Sequence, residues 1–154
     1  VVNYISSALR GALVSGLALC SVQAQAGDTP QSTIENLFKA MYAGNGAAVR
    51  SAFVEDATLD RATKEGGLRR SGFSGWADWV DTQQAGDADE RIFGLKVQEF
   101  GSLATVWAPF KLWYKGDLVS CGVNTFTLTK IDTDWKIIHG IDRHHDGDCT
   151  DFNP

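Results

Sequence analysis

LATVWAPFKLWYKGDLVSCGVNTFTLTKIDTDWKIIHGIDR, residues 103–143, reads as three strands joined by two tight turns. Aromatic and β-branched residues recur over Leu103–Tyr114, Leu118–Lys130 and Trp135–Arg143, the composition of half-buried strands. Gly116-Asp117 and Asp132-Thr133-Asp134 break those runs with residues that favour turns. A fourth run, Glu90–Phe100, precedes them and is closed by Gly101-Ser102. Pro109 interrupts the run Leu103–Tyr114 and predicts a bulge or bend there, because proline cannot donate to a ladder.

Upstream the period changes from two to about 3.6. Thr29-Pro30 predicts a helix start, with Ser32-x-x-Glu35 as a competing capping box. Ile34, Leu37, Phe38 and Met41 then form one apolar stripe that ends at Gly44. Gly46 opens a second short helix, with Val49 and Phe53 on one face and Asp56 at its close. Ala57–Arg61 and Leu68–Arg70 read as a small hairpin through Glu65-Gly66-Gly67. Ser74 is the expected cap of a third helix carrying Trp76, Trp79 and Val80. Thr82–Asp89 reads as a polar loop. The fold class is therefore α+β: three N-terminal helices packed in a strongly curved, mainly antiparallel sheet around a central pocket.

The first stretch reads as a signal peptide, residues 1–26. Arg10 precedes the uncharged run Gly11–Cys20, and Ala24-Gln25-Ala26 is a small-x-small cleavage site. The rival readings are a retained anchor and an N-terminal helix of the fold. Leu17-Ala-Leu-Cys20 resembles a lipoprotein site except that bulky Leu19 stands where a small residue belongs. Residues 27–154 then form one domain, expected in the periplasm or outside the cell. Formal net charge is −5, with no basic stripe, so neither nucleic acid nor an anionic membrane is an expected partner. Cys121 and Cys149 remain after cleavage and read first as a disulfide, with two unrelated thiols as the rival.

Strand alternation places Trp135, Ile137, His139, Ile141 and Arg143 on one face, aligned with Asn124, Phe126 and Leu128. Through the Gly116-Asp117 turn, Thr105 and Trp107 join that face. Polar groups on an aromatic inner face mark a small-molecule pocket, so Trp107, Asn124, Phe126, His139 and Arg143 are the ligand-binding candidates. His139 is the sole catalytic candidate, against the alternative of a buried histidine bonded to backbone. An Asp142–His139 dyad is excluded because odd spacing on a strand separates the two. Asp60 and Arg69 reach a cavity mouth or form a solvated pair. His144-His145-Asp146-x-Asp148-Cys149 lacks the spacing of a metal site, and no nucleophile elbow or phosphate loop is present. No metal or cofactor is implied.

Gly46-Ala-Ala-Val-Arg-Ser-Ala-Phe53-Val-Glu-Asp56-Ala57-Thr-Leu59 resembles the helix-to-strand passage of the nuclear transport factor 2-like superfamily, which includes SnoaL-like and ketosteroid-isomerase-like proteins. Gly75-Trp76-Ala-Asp-Trp79 is similar to its third helix. Trp107-Ala-Pro109-Phe110, Cys121-Gly122-Val-Asn124-Thr-Phe126 and Asp134-Trp135-Lys-Ile137 resemble a secreted bacterial branch labelled lumazine-binding. The resemblance implies a cystatin-like cone with a deep pocket, often a homodimer, in a superfamily of isomerases, dehydratases, cyclases, hydrolases and inactive binding modules. The carboxylate base and Tyr/acid pair of the isomerases find no matching set here.

Three functions follow as expectations. The first is an exported protein whose pocket binds a small apolar or aromatic molecule. The second is a cofactor-independent lyase or isomerase with His139 as general acid–base and Asn124 or Arg143 polarising a carbonyl. The third is a non-catalytic module dimerising through an outer sheet face of Val106, Phe110, Val123 and Ile138.

Overall fold

The computed structural model describes residues 28–154, so the signal-peptide reading of residues 1–26 lies outside the described residues. α1 (Pro30–Tyr42) starts at the predicted proline. Its capping box is set one turn earlier than Ser32-x-x-Glu35: Ser32 N–H donates to Thr29 Oγ1 at 3.0 Å, and Thr29 N–H donates to Ser32 Oγ at 2.8 Å. The expected stripe Ile34, Leu37, Phe38 and Met41 is buried.

α2 (Gly46–Ser51) is capped by the Asn45 side chain and stops sooner than its sequence suggests. Phe53 and Asp56 already belong to β1 (Phe53–Ala62), and β2 (Leu68–Arg69) folds back on it as the expected hairpin. α3 (Ser74–Val80) follows with Phe73 as its N-cap and no side-chain cap bond, so Ser74 does not cap it. Instead the Phe73 ring stacks on Phe53 with centroids 4.5 Å apart, fastening the helix start to β1. Arg50 of α2 bonds Asp78 of α3 and Asp81, the residue that caps its C-terminus, and Asp81 also accepts the Gly46 N–H at 2.7 Å.

The remaining strands are β3 (Ala88–Ile92), β4 (Lys96–Phe100), β5 (Leu103–Tyr114), β6 (Asp117–Ile131) and β7 (Asp134–His144). They form a mixed sheet in the order β2-β1-β7-β6-β5-β3, with β4 also on β5. Among the described residues only the β1–β7 pairing is parallel, which brings the first of these strands beside the last. The predicted run Glu90–Phe100 is two strands, and Pro109 explains why. Pro109 pairs regularly with Val123 on β6, while its carbonyl accepts from Phe93 on the other side. The missing proline N–H therefore faces the gap between β3 and β4. No bulge falls at Pro109 itself: the irregularity of the β5–β6 pairing lies between Leu112 and Trp113.

Two irregularities decide which side chains point inward. β7 carries an extra residue at Ile138, between the pairs Leu128↔Ile137 and Thr127↔His139. β6 shifts register between Leu112↔Ser120 and Trp113↔Leu118. Ala104, Val106, Ala108 and Phe110 of β5 and Phe126 and Leu128 of β6 line the concave side and are buried. Val106 and Phe110 are thus 1% and 2% exposed core residues, and the outer-face dimer patch built on them is corrected. At one end this concave side closes on α1, α2 and α3 through Ile34, Leu37, Val49, Ala77, Val80, Trp135 and Ile137. At the other end it stays open.

Beyond His144 the chain turns across the convex side. The Cys121–Cys149 disulfide joins this tail to β6 across 28 residues of sequence, as expected. His145 N–H donates to the Cys121 carbonyl, and Lys111 Nζ donates to the Thr150 carbonyl at 2.7 Å.

Candidate functional site

The open end encloses a cavity of about 360 Å³, within the common size range of small-molecule sites. Its walls are the stripe of α1 (Phe38, Met41), the tryptophans of α3 (Trp76, Trp79) and inward residues of the sheet (Leu59, Phe110, Leu112, Phe126). Gly140 packs directly against two of these walls: a Cβ there would stand 2.8 Å from Leu59 Cδ1 and 3.1 Å from Phe126 Cδ1.

Besides Asp60, Arg69 and Ser71, which also line this apolar bowl, five polar side chains converge on it: Arg61, Glu90, Asn124, Asp142 and His144. Strand pairing brings them together from four strands. Arg61 on β1 lies beside Asp142 on β7, and Asn124 on β6 lies opposite Asp142. Arg61 Nε donates to Asp142 Oδ1 at 2.7 Å, and its Nη2 bonds Oδ2, a bidentate fork. His144 Nε2 lies 3.2 Å from Asp142 Oδ2, and its Nδ1 lies 2.9 Å from Ser120 Oγ. The His144 ring also meets Phe110 edge-on at 5.6 Å. Asn124 Nδ2 donates to Glu90 Oε1 at 2.8 Å.

The two carboxyls are perturbed in opposite directions. Burial pushes Glu90 from 4.5 up to about 7; the nearby Asp142 charge adds to this, while the Asn124 bond and Arg61 oppose it. Burial also raises Asp142, but hydrogen bonds from His144 and Arg61 outweigh it and hold that carboxyl below its ordinary value. The hydrogen bond that Arg61 donates to Asp142 in turn raises the Arg61 guanidinium above its ordinary value. Near neutral pH the cavity therefore holds one carboxyl that readily keeps its proton and one that does not.

Of the residues expected to line the pocket, Asn124 and Phe126 do. Trp107, His139 and Arg143 do not. The extra residue at Ile138 reverses the alternation of β7, so Gly140, Asp142 and His144 turn inward while His139 and Arg143 turn outward. The β6 shift acts likewise on Trp107, which is 42% exposed on the convex side opposite Thr125. His139 Nε2 instead lies 3.5 Å from Asp60, whose buried carboxylate accepts the Ser71 N–H at 3.0 Å. Asp60 is thus no solvated partner of Arg69; it pins the segment after β2 that forms the cavity rim. Arg143 pairs with Asp146 at 2.6 Å.

Sequence reasoning missed Glu90, Arg61, Asp142 and His144 as one cluster. A signal existed for Glu90: it sits between Ala88 and Ile92 at two-residue spacing, an acid on an apolar strand face. Among the described residues no group of three or more His, Cys, Asp or Glu is placed to hold a metal ion. Among them, too, no helix is long and apolar enough to cross a membrane.

Comparison with known proteins agrees with this fold. The model of a family described as "Putative lumazine-binding" matches residues 26–141. A nuclear transport factor 2-like protein of unknown function from Methylobacillus flagellatus superposes with a TM-score of 0.58 at 20% identity, over 75% of this chain and 88% of that one. A cystatin-like protein of unknown function from Nostoc punctiforme gives 0.59 at 14% identity, over 76% and 89%. A protein titled putative scytalone dehydratase, from Novosphingobium aromaticivorans, gives 0.59 at 16% identity, over 75% and 80%. At these identities the likeness is one of fold. Among proteins of curated function, none matches the chain by sequence.

Proposed function

This chain belongs to the family described as "Putative lumazine-binding", of the nuclear transport factor 2-like superfamily, and from that membership we propose that its cone binds one small, largely aromatic molecule. The observation that carries this reading is the cavity itself: aromatic walls on three sides and a compact polar group at one place on the sheet. Apolar walls supply affinity through burial, and a few convergent polar atoms supply orientation. The test is a thermal-shift screen of aromatic metabolites. A ligand that binds only the folded chain raises the melting temperature by mass action. Hits should quench tryptophan emission, because Trp76 and Trp79 form the wall. A broad library without one stabilising compound refutes the reading.

A second reading, a cofactor-independent lyase or isomerase, draws on the divergent carboxyls. A protonated Glu90 and an ionised Asp142 buttressed by His144 are an acid and a base facing one cavity. His139 has no part in it. Any stabilising carbonyl compound should then exchange its α-hydrogens for deuterium in D₂O, and Asp142→Asn should stop the exchange. Absence of exchange above the buffer rate sinks this reading and leaves the first intact.

Export to the periplasm or beyond is part of the proposal. The Arg10–Ala26 segment and a disulfide suited to an oxidising compartment support it. Mass spectrometry of the secreted form should place its N-terminus at Gly27; a full-length N-terminus in the cytosol refutes export.

A further inference from the structure

β2 sets a second arginine beside Arg61. The turn at Gly66 folds Leu68–Arg69 back on β1, where Arg69 stands directly opposite Arg61. Opposed residues of an antiparallel pair share a face, and both arginines line the cavity. Like charges so placed repel one another and cost stability unless each has a counter-ion. Arg61 has one, because its Nε and Nη2 both bond Asp142. Among the described residues Arg69 pairs with no acid. Nor is any carboxylate of the lining spare for it. Asp60 accepts the Ser71 N–H and lies 3.4 Å from Arg70 and 3.5 Å from His139. Glu90 is bonded to Asn124, and Asp142 is shared between Arg61 and His144.

We infer that Arg69 anchors an anion subsite at the mouth of the cavity, and that the ligand carries a carboxylate there while its apolar body lies inward among Phe38, Trp76 and Phe126. The inference rests on the pocket reading above and adds the ligand's charge and the end by which it is held.

Position sets the polarity. Arg69 is exposed on a two-residue strand at the edge of the sheet, so its guanidinium can turn to a ligand without giving up a partner in the fold. Deeper in the cavity stand Glu90 and Asp142, whose oxygens disfavour a carboxylate pushed past the mouth. A cationic ligand at the mouth would meet Arg69 beside Arg61, and a neutral one would leave their repulsion as it was. A carboxylate relieves it, taking two parallel N–H bonds from one planar guanidinium. A phosphate brings nearly two charges and three acceptor oxygens, more than one guanidinium fills. Among the described residues, no further Arg or Lys lines the cavity to share that load.

The experiment compares 2-naphthoate, 2-naphthol and 2-naphthylmethylammonium, one ring system with an anionic, a neutral or a cationic end, by calorimetry at pH 6. The naphthoate should bind roughly tenfold tighter than the naphthol, as a charge-assisted bond at a partly solvated site provides, and the ammonium should bind weakest. Raising salt from ~0.05 M to ~0.5 M should shrink the naphthoate's advantage severalfold. Arg69→Gln should bring naphthoate down to the affinity of naphthol, and Arg69→Lys should keep part of the difference. Without ligand, Arg69→Gln should melt no lower than the wild type, because it removes one of two opposed charges. Equal affinity for naphthoate and naphthol overturns the inference while the pocket reading stands. An advantage that persists in Arg69→Gln also overturns it, since another group then holds the carboxylate. So does a marked fall in the melting temperature of that variant, which would give Arg69 a structural partner instead. Failure of every aromatic probe, charged or neutral, to bind the folded protein removes the pocket reading as well.

Discussion

Replacing Glu90 by glutamine should change how stability depends on pH, by an amount the cavity dictates. In the unfolded chain this carboxyl loses its proton near 4.5, whereas in the folded cavity it holds it to about 7. Below 4.5 both states are protonated and the wild type suffers no penalty. Between 4.5 and about 7 the unfolded state is increasingly favoured, because it releases a proton that the fold retains. Each pH unit in that window costs ~1.4 kcal/mol, so the whole interval is worth about 3 kcal/mol. Above it the loss levels off. Asp142 has the opposite sign: its stabilisation is present above its ordinary value of 3.8 and fades as pH falls through its lower folded value. It therefore lies outside the window and is shared by both proteins. Urea unfolding at intervals from pH 4.5 to pH 8, with the disulfide intact, gives the comparison. The wild type should lose about 3 kcal/mol relative to Glu90→Gln across that range. A difference constant to within ~0.5 kcal/mol would refute the burial of this carboxyl and the proton-holding site with it.

Replacing both Cys121 and Cys149 by alanine should cost ~3.5 kcal/mol, the chain-entropy value for a closed loop of 28 residues. Differential scanning calorimetry should show the melting temperature falling by roughly 10 °C; an unchanged melt would mean the tail is not held by this bridge. Gly140→Val should destabilise by about 1–3 kcal/mol and abolish ligand-induced thermal shifts, because its side chain collides with Leu59 and Phe126. Normal shifts in a folded variant would place the ligand elsewhere. Trp107→Ala should leave both stability and ligand affinity within ~0.5 kcal/mol of wild type, since the indole stands on the convex side; a tenfold loss of affinity would restore Trp107 to the pocket.

Local chemistry was enough to read most of the architecture. Pro30 after Thr29, the stripe from Ile34 to Met41, and the turns around Gly116 and Asp132 act within a few residues, and the structure keeps them. The disulfide was legible too, because a two-residue turn brings Cys121 level with the end of β7. Faces were harder. One surplus residue at Ile138 moved His139 and Arg143 out of the cavity and moved Asp142 and His144 in, and a single inserted residue leaves almost no trace in composition. The same held for Trp107, whose orientation depended on a register shift near Val119.

The sequence by itself determined most of the elements, their order and the cysteine pair, because helix caps, turn residues and apolar periods are short-range properties. Only the tertiary structure decided the site. Arg61, Glu90, Asn124 and Asp142 come from four different strands, and their meeting depends on the parallel seam between β1 and β7 and on the two shifts of register. The proton held by Glu90 is a property of that meeting: burial raises the carboxyl, and the charges that modulate it belong to residues 29 positions earlier and 52 later, Arg61 and Asp142.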